Sequence, residues 1–346
     1  NELTMPITMT ELARRLNLSH STVSLVLNNR YRNRVRPEVA DLILSTAREL
    51  GYHPNRAASE LRRQQSSNIG VLLPSPRNFY YGEIVADLHR EIRRRNYSPV
   101  FSFWDEDKEQ QDALEAILSW HTAGIITVEP QLLPESVNVP VVSFYNSDPR
   151  FDLVELDLDS AVRQVLDYLH ELGHREIAWL GNLDDRRYEL YLRHLPEYGM
   201  ELPERCRVFG RGILSFADGG AMFDRLLEQC AGKLPTAIVA HNDMVAIGII
   251  RRAAELGYRI PADFSIVGQD DIVQDQFTLP TLTSIHYASD GSVGSKLVET
   301  IFQRIDDPDS ERRIIRIAPT LVKRESCGTL RRTGLPANNE IVNARR

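Results

Sequence analysis

Residues 16–29 read LNLSHSTVSLVLNN, with four short polar side chains, Ser19-His20-Ser21-Thr22, crowded where a helix begins. Val23, Val26 and Leu27 follow at the i, i+3, i+4 spacing of a buried helical stripe. Solvated helix faces are normally furnished by Glu, Lys and Gln, which combine helix propensity with solubility. A helix that exposes His, Ser and Thr instead can approach another surface closely and offer it donors and acceptors.

The flanking sequence places this helix in a three-helix unit. Thr8-Met9-Thr10-Glu11 has the capping-box pattern, Thr8 accepting from a first-turn amide and Glu11 reaching back. Leu12, Ala13 and Leu16 then share one side, Asn17-Leu18 make a tight break, and Ser19 caps the second helix. Arg36-Pro37-Glu38 opens a third helix that is expected to bury Val39, Leu42, Ile43 and Ala47 and to stop at Gly51. Two short helices joined by a tight turn and backed by a third form a helix-turn-helix, whose second helix enters the major groove. His20, Ser21 and Thr22 would meet base edges there, and Leu25 could pack on a thymine methyl. The plainer alternative is an over-capped surface helix; DNA reading accounts for more of the pattern. Arg30, Arg32, Arg34 and Arg36 alternate through the next loop and read as phosphate contacts, or in part as solvated arginines.

Residues 52–68, YHPNRAASELRRQQSSN, contain a short helix in which Asn55 is the cap and Ala57, Ala58 and Leu61 share a face ahead of Arg62 and Arg63. A helix this short is unstable alone in water and needs its dimer copy or DNA as partner. Leu61 suits a wedge driven into a minor-groove base step, the alternative being a plain linker.

Charge divides the chain at the same place. Residues 1–65 carry ten Arg and six Asp/Glu, a surplus of +4, which leaves −11 on residues 66–346 against an overall −7. A basic head on an acidic body fits a polyanion-binding module joined to one that binds no polyanion. No apolar run approaches the roughly 20 residues of a membrane span, and no basic-then-apolar secretion signal is present at the start. Cys206, Cys230 and Cys327 are far apart in sequence and odd in number, which suits a reducing cytoplasm and no disulfide framework. They do not pair with His at zinc-ligand spacing, so no metal is expected, and no cofactor.

Beyond the linker, apolar strands alternate with amphipathic helices. IGVLLP, PVFSFW, GIITV and VPVVSFY form one series; EIAWLGN, CRVFG, TAIVAHN and FSIVGQDD form a second. Continuous apolar strands between helices indicate parallel sheets covered on both faces, here two doubly wound lobes with a cleft at the carboxyl ends of the strands. Ser75 and Tyr80-Tyr81 follow the first strand, Tyr145 follows VVSF, Asn242-Asp243 follow IVAH and Asp270 follows IVGQ. Aromatic walls with a few Asn, Asp and Arg suit a small polyhydroxylated or heterocyclic ligand. Asn and Asp at strand ends also serve as ordinary helix caps, and Asp243 is assigned that role.

MTELARRLNLSHSTVSLVLN followed by RELGYHPNRAASELR resembles the start of the lactose and purine repressor family, and the similarity continues to about residue 328. The resemblance implies a dimeric transcriptional regulator with an N-terminal all-α helix-turn-helix domain and a two-lobed α/β effector domain like that of periplasmic binding proteins. By motif match His20 and Ser21 take the principal base-reading positions, Leu25 the next, and Leu61 that of the intercalating leucine. Thr22, Ser24, Asn28, Arg30, Arg32, Arg34, Asn55, Ala58 and Arg62 complete the implied DNA contacts, although the loop from Arg30 to Arg34 is longer than the usual pattern. AHNDMVAIG and SIVGQDD resemble the effector-domain signatures and carry Asn242 and Asp270 over as effector contacts. Arg187 in RYELY occupies the family arginine, with Leu190 in place of the usual Gly. Tyr80 and Tyr81 match aromatic ligand-facing positions, and Ser75, Tyr145 and Asp157 complete the implied set. Only six positions separate Gly181 from Arg187, which shortens a loop that often touches effector.

The implied organisation is a DNA-binding domain at 1–53, a hinge helix and linker at 54–67, and an effector and dimerisation domain at 68–330. One lobe would combine 68–157 with 287–317 and the other 158–286 with 318–330. The tail, 331–346, lacks a leucine heptad and is expected to be disordered, leaving a homodimer and not a tetramer. The function expected is that of a repressor, cytoplasmic, with double-stranded operator DNA and a carbohydrate effector as partners and no membrane association. An exported sugar-binding transport protein would share the two-lobed body but not the basic head. A nucleotide-dependent enzyme finds only GRGILS, Gly210 to Ser215, an incomplete dinucleotide motif, and no Walker lysine.

Overall fold

The computed structural model describes residues 7–27, 31–32, 34–52, 66–231, 233–288 and 291–329. The chain forms two compact units, Asn1–Ser66 and Ser67–Arg346, each with its own core. Asn28, Arg30, Asn55, Ala58, Leu61 and Arg62, together with the tail, lie outside the described residues.

The described residues of the first unit form three helices, α1 (Met9–Leu16), α2 (His20–Leu27) and α3 (Pro37–Glu49). Thr8 Oγ1 accepts from the Glu11 amide at 3.2 Å, as its motif predicts. The returning half of the capping box is replaced: the Glu11 carboxylate takes Arg14 at 2.7 Å and Arg15 at 3.0 Å. In a guanidinium–carboxylate bond both partners are ionised, whereas a backbone amide donates as a neutral group. Asn17 ends α1 in the left-handed region, φ 52°, and Ser19 Oγ caps α2 by accepting from the Thr22 amide at 3.1 Å. Leu12, Ala13, Val23, Val26, Ala40, Ile43, Ala47 and Tyr52 make the core. Leu42 was expected inside but is half-exposed. Ala40, Ile43 and Ala47 define the inner stripe of α3, and Leu42 lies about 100° around the helix from Ile43.

The second unit contains two parallel sheets. The first carries β1 (Asn68–Pro74), β2 (Ser98–Trp104), β3 (Gly124–Thr127), β4 (Val141–Phe144) and β5 (Asp152–Leu156). The second carries β6 (Ile177–Asn182), β7 (Arg207–Gly210), β8 (Ala237–Ala240) and β9 (Ser265–Val267). After these, β10 (Ser284–Tyr287) pairs antiparallel with β12 (Pro319–Val322), while β11 (Ile314–Ile317) between them returns to the first sheet beside β5. The strand orders are β2-β1-β3-β4-β5-β11 and β7-β6-β8-β9. Successive strand side chains point to opposite faces, so the unbroken burial of β1 after Asn68, and of β3 and β8, requires cover on both. Helices α4 (Phe79–Arg94), α5 (Gln110–Leu118) and α10 (Val293–Asp306) pack on the first sheet. Helices α6 (Leu158–Glu171), α7 (Arg186–His194), α8 (Phe216–Gln229) and α9 (Asp243–Glu255) belong with the second. Each sheet reverses its strand order beside its first strand, between β1 and β3 and between β6 and β8, which opens a crevice at the strand carboxyl ends.

Cys206 and Cys230, distant in sequence, bring their sulfurs to 3.8 Å as free thiols. Among the described residues, no helix is long and apolar enough to cross a membrane. Helices α8 and α9 approach so closely that only glycine fits at their crossing: a Cβ on Gly248 would lie 2.0 Å from the Phe216 carbonyl oxygen, and one on Gly219 would lie 2.2 Å from that of Val245. Gly248→Ala is therefore expected to destabilise the second unit by about 2–3 kcal/mol through overpacking. Urea denaturation would show this as a lowered midpoint, and an unchanged midpoint would contradict the packing.

Candidate functional site

On α2, Val23 and Val26 face the core, and His20 and Ser21 are exposed at the amino-terminal turn with Thr22, Ser24 and Leu25 half-buried beside them. Ser19 Oγ joins the Ser21 hydroxyl at 2.9 Å and the Thr22 hydroxyl at 2.8 Å, so three hydroxyls form one cluster at the helix start. Arg32 and Arg34 are exposed in the connection to α3. The unit thus presents a compact polar helix end beside cationic side chains, the arrangement needed to touch base edges and phosphates together.

In the second unit a cavity of about 260 Å³ lies between the carboxyl ends of the two parallel sheets. Six of the eight expected ligand residues line it: Tyr80 and Tyr81 on α4, Tyr145 after β4, Arg187 on α7, Asn242 after β8 and Asp270 after β9. Ser75 and Asp157 do not. Ser75 is buried at the end of β1, where its hydroxyl accepts from the Arg77 amide at 3.4 Å, and Asp157 caps α6 by accepting from the Ser160 amide at 3.1 Å. The wall also includes residues that strand-end reading passed over: Asn78, Asn182, Asp184, Asp185, His241 and Tyr287, with Phe144, Leu156 and Leu158 as apolar surface.

The cap role assigned to Asp243 falls to Asn242, which also lines the cavity. Asn242 is the cap of α9, its Oδ1 accepting from the Val245 amide at 2.8 Å while its Nδ2 donates to the Leu214 carbonyl at 3.3 Å. Asp243 is fully buried and organises the turn after β9. Its Oδ1 accepts from the Gln269 amide at 2.7 Å and the Ser284 hydroxyl at 2.6 Å, and its Oδ2 from the Asp270 and Ile272 amides at 3.2 and 3.1 Å. Gly268 makes room for this, since a Cβ there would lie 1.8 Å from Asp243 Oδ1. The held turn sets Asp270 in the cavity wall. Burial, and then the charge of Asp243, push the Asp270 carboxyl up to about 8, so it carries its proton at neutral pH.

Opposite it, Asp185 both caps α7 and binds its arginine. The carboxylate accepts from the Arg187 amide at 2.8 Å, from Nε at 3.0 Å and from Nη2 at 2.6 Å. His241 Nδ1 lies 2.8 Å from Asp185 Oδ2. Burial opposes the charge on Asp185, but the Arg187 charge and the His241 and Arg187 contacts outweigh it and hold the carboxyl well below the usual range. Among the described residues, buried Tyr80 OH, Tyr287 OH and Asn182 Oδ1 have no hydrogen-bond partner. All three residues line the cavity, so a bound molecule can meet them. Across the cleft, the Phe79 and Phe216 rings stand 5.9 Å apart, and the Arg186 guanidinium lies 6.0 Å from the Tyr145 ring centre.

Residues 8–55 match the family described as bacterial regulatory proteins, lacI family, and residues 166–327 match the periplasmic binding protein-like domain. The HTH-type transcriptional repressor PurR of Pasteurella multocida is 28% identical over 335 residues, covering 92% of this chain and 98% of its own. PurR of Klebsiella pneumoniae strain 342 is 26% identical, covering 92% and 96%. Among solved structures, the lac repressor dimer bound to operator and the anti-inducer ONPF is similar with a TM-score of 0.79 and 25% identity, covering 94% of this chain and 100% of that one. A transcriptional regulator CelR–cellobiose complex shares the fold with a TM-score of 0.65 at 23% identity, covering 92% and 99%.

The proton on Asp270 has a consequence for stability. Its pKa is raised on folding, so the stability it contributes is complete below the unfolded value near 4 and is lost as pH rises through about 8. Stability of the wild type relative to Asp270→Asn should fall steadily across that window in urea titrations. A difference independent of pH would contradict the placement of Asp270.

Proposed function

We propose that this chain, which belongs to the lacI family of bacterial regulatory proteins, is a sequence-specific transcriptional repressor whose hold on operator DNA is set by a small polyhydroxylated molecule in the cavity. The observation that carries the reading is a cavity walled by unpartnered Tyr80, Tyr287 and Asn182 polar atoms in the same chain as an exposed His20-Ser21-Thr22 helix end.

His20 and Ser21 read base edges, Leu25 packs on a thymine methyl, and Arg32 and Arg34 hold phosphates. Leu61 enters a minor-groove step of the operator. A homodimer supplies two copies of α2 to two half-sites. Its interface draws on the apolar groove of Ile250, Ala254, Tyr258 and Ile260 with Leu279, which is 88% exposed, beside it. The lobes, 68–157 with 287–317 and 158–286 with 318–330, are joined at three crossings. Tyr80, Tyr81 and Tyr145 contribute to the ligand site from one lobe; Arg187, Asn242 and Asp270 contribute from the other. A molecule that bridges them favours one lobe angle over the other. Only this difference in affinity between two states shifts the operator equilibrium.

Gel-shift assays on a selected operator test both ends. His20→Ala is expected to weaken specific binding by about 1–3 kcal/mol and leave binding to random duplex unchanged. Arg187→Gln is expected to abolish the response to the carbohydrate found by screening while keeping operator affinity in its absence. A wild-type dose response in Arg187→Gln, or undiminished specificity in His20→Ala, would overturn the reading.

A further inference from the structure

The cavity holds one arginine, and every feature around it removes that arginine's appeal to an anion. Nε and Nη2 of Arg187 are both committed to Asp185, and Asp184 and Asp270 add two further carboxyl groups to the wall. His241, the other basic group on the wall, stands against the same Asp185 carboxylate. Arg187 is therefore a neutralised donor: its charge is matched, and among the described residues its Nη1 has no hydrogen-bond partner.

The backbone is partly taken up as well. Four helices, α4, α6, α7 and α9, present their amino termini at this cleft, where exposed amides and the helix dipole would ordinarily bind phosphate or carboxylate. Each terminus already gives one first-turn amide to its own cap side chain: Asn78 accepts from the Tyr80 amide at 3.0 Å, Asp157 from the Ser160 amide at 3.1 Å, Asp185 from the Arg187 amide at 2.8 Å and Asn242 from the Val245 amide at 2.8 Å. Two of these caps are carboxylates, which repel an approaching anion as well as occupying the amides.

We infer that the cavity takes an uncharged polyhydroxylated ligand and rejects its phosphorylated or carboxylated counterpart, and that Asp185 is the residue that sets this choice. Tyr80, Tyr287 and Asn182 are left to meet ligand hydroxyls, with Arg187 Nη1 as a further donor. The inference rests on the cavity being the effector site. It goes further by naming the charge class of the effector and the side chain that selects it. Phosphate recognition by the same fold would be favoured by an unpaired arginine, and here Nε and Nη2 of Arg187 are both held by Asp185.

The test uses the full chain at neutral pH, with matched probes: neutral monosaccharides and polyols, the phosphate ester and the sugar acid of each, and inorganic phosphate alone. For wild type, a stabilising neutral sugar should bind at least about 100-fold more tightly than its charged counterparts. Inorganic phosphate should give no saturable thermal shift. Asp185→Asn keeps the cap and the shape, and Asp270→Asn added to it prevents the Asp270 carboxyl from ionising beside the freed arginine. The double variant should gain a saturable shift with inorganic phosphate, which a third change, Arg187→Gln, removes. Circular dichroism confirms that the variants fold. The inference is overturned if a phosphate ester or sugar acid matches its neutral parent on wild type, or if the folded double variant gains no phosphate binding. A neutral sugar that binds without altering operator affinity overturns the regulatory reading instead and leaves the charge assignment standing.

Discussion

Asp243 is a fully buried carboxylate on which the architecture of the cleft depends. A charge removed from water is costly unless its lone pairs are met, and here four donors meet them: the amides of Gln269, Asp270 and Ile272 and the hydroxyl of Ser284. Hydrogen bonds to a charged group contribute about 1.5–3 kcal/mol each, enough to fix a turn that would otherwise be an ordinary surface loop. They tie the start of α9 to the turn after β9 and to β10, so that Asp270 and Tyr287 reach the same cavity. The charge also acts on its neighbours. Asp275, buried beside it, is pushed up to about 10 by burial first and by Asp243 second, and so keeps its proton.

The cleft is built from two sheets facing each other. Two parallel sheets aim their carboxyl ends at each other, and the residues meeting there come from separate lobes. Phe79 against Phe216 and Arg186 against Tyr145 bring the lobes together at the rim. Within the cavity, Asp185 keeps Arg187 extended along the wall by a two-pronged contact, which sets the guanidinium plane before any ligand arrives. Such preorganisation lets a small molecule spend little of its binding energy on ordering side chains.

Much of this was legible in the sequence, for identifiable reasons. Thr8 and Ser19 mark helix starts by accepting from amides of their own first turn, and Pro37 by its fixed φ at the first helical position, short-range signals that survive tertiary context. The fully apolar runs of β1, β3 and β8 announce covered parallel sheets. Four strands escaped notice. β5 and β11 mix charged residues into short runs, with Ile314 half-exposed, and the β10–β12 pair joins partners more than 30 residues apart along the chain, from Ser284 with Val322 to Tyr287 with Pro319. Tyr287 was missed with β10, on which it sits. Asn242 and Asp243 both satisfy the rule for a cap, and only donors 26 to 41 residues away distinguish them. Asp185 was visible as a residue before a helix, but its grip on Arg187 and its contact with His241 depend on where β6 and β8 end.

The central claim is that the cavity and the recognition helix are thermodynamically linked. Linkage is reciprocal: a ligand that changes operator affinity by some factor must have its own affinity changed by the same factor when operator is bound. Calorimetric titration of a cavity ligand into the dimer, free and saturated with operator duplex, measures this directly. The account predicts two different ligand Kd values whose ratio equals the ratio of operator Kd values with and without ligand. Identical ligand Kd values in the two titrations would contradict it.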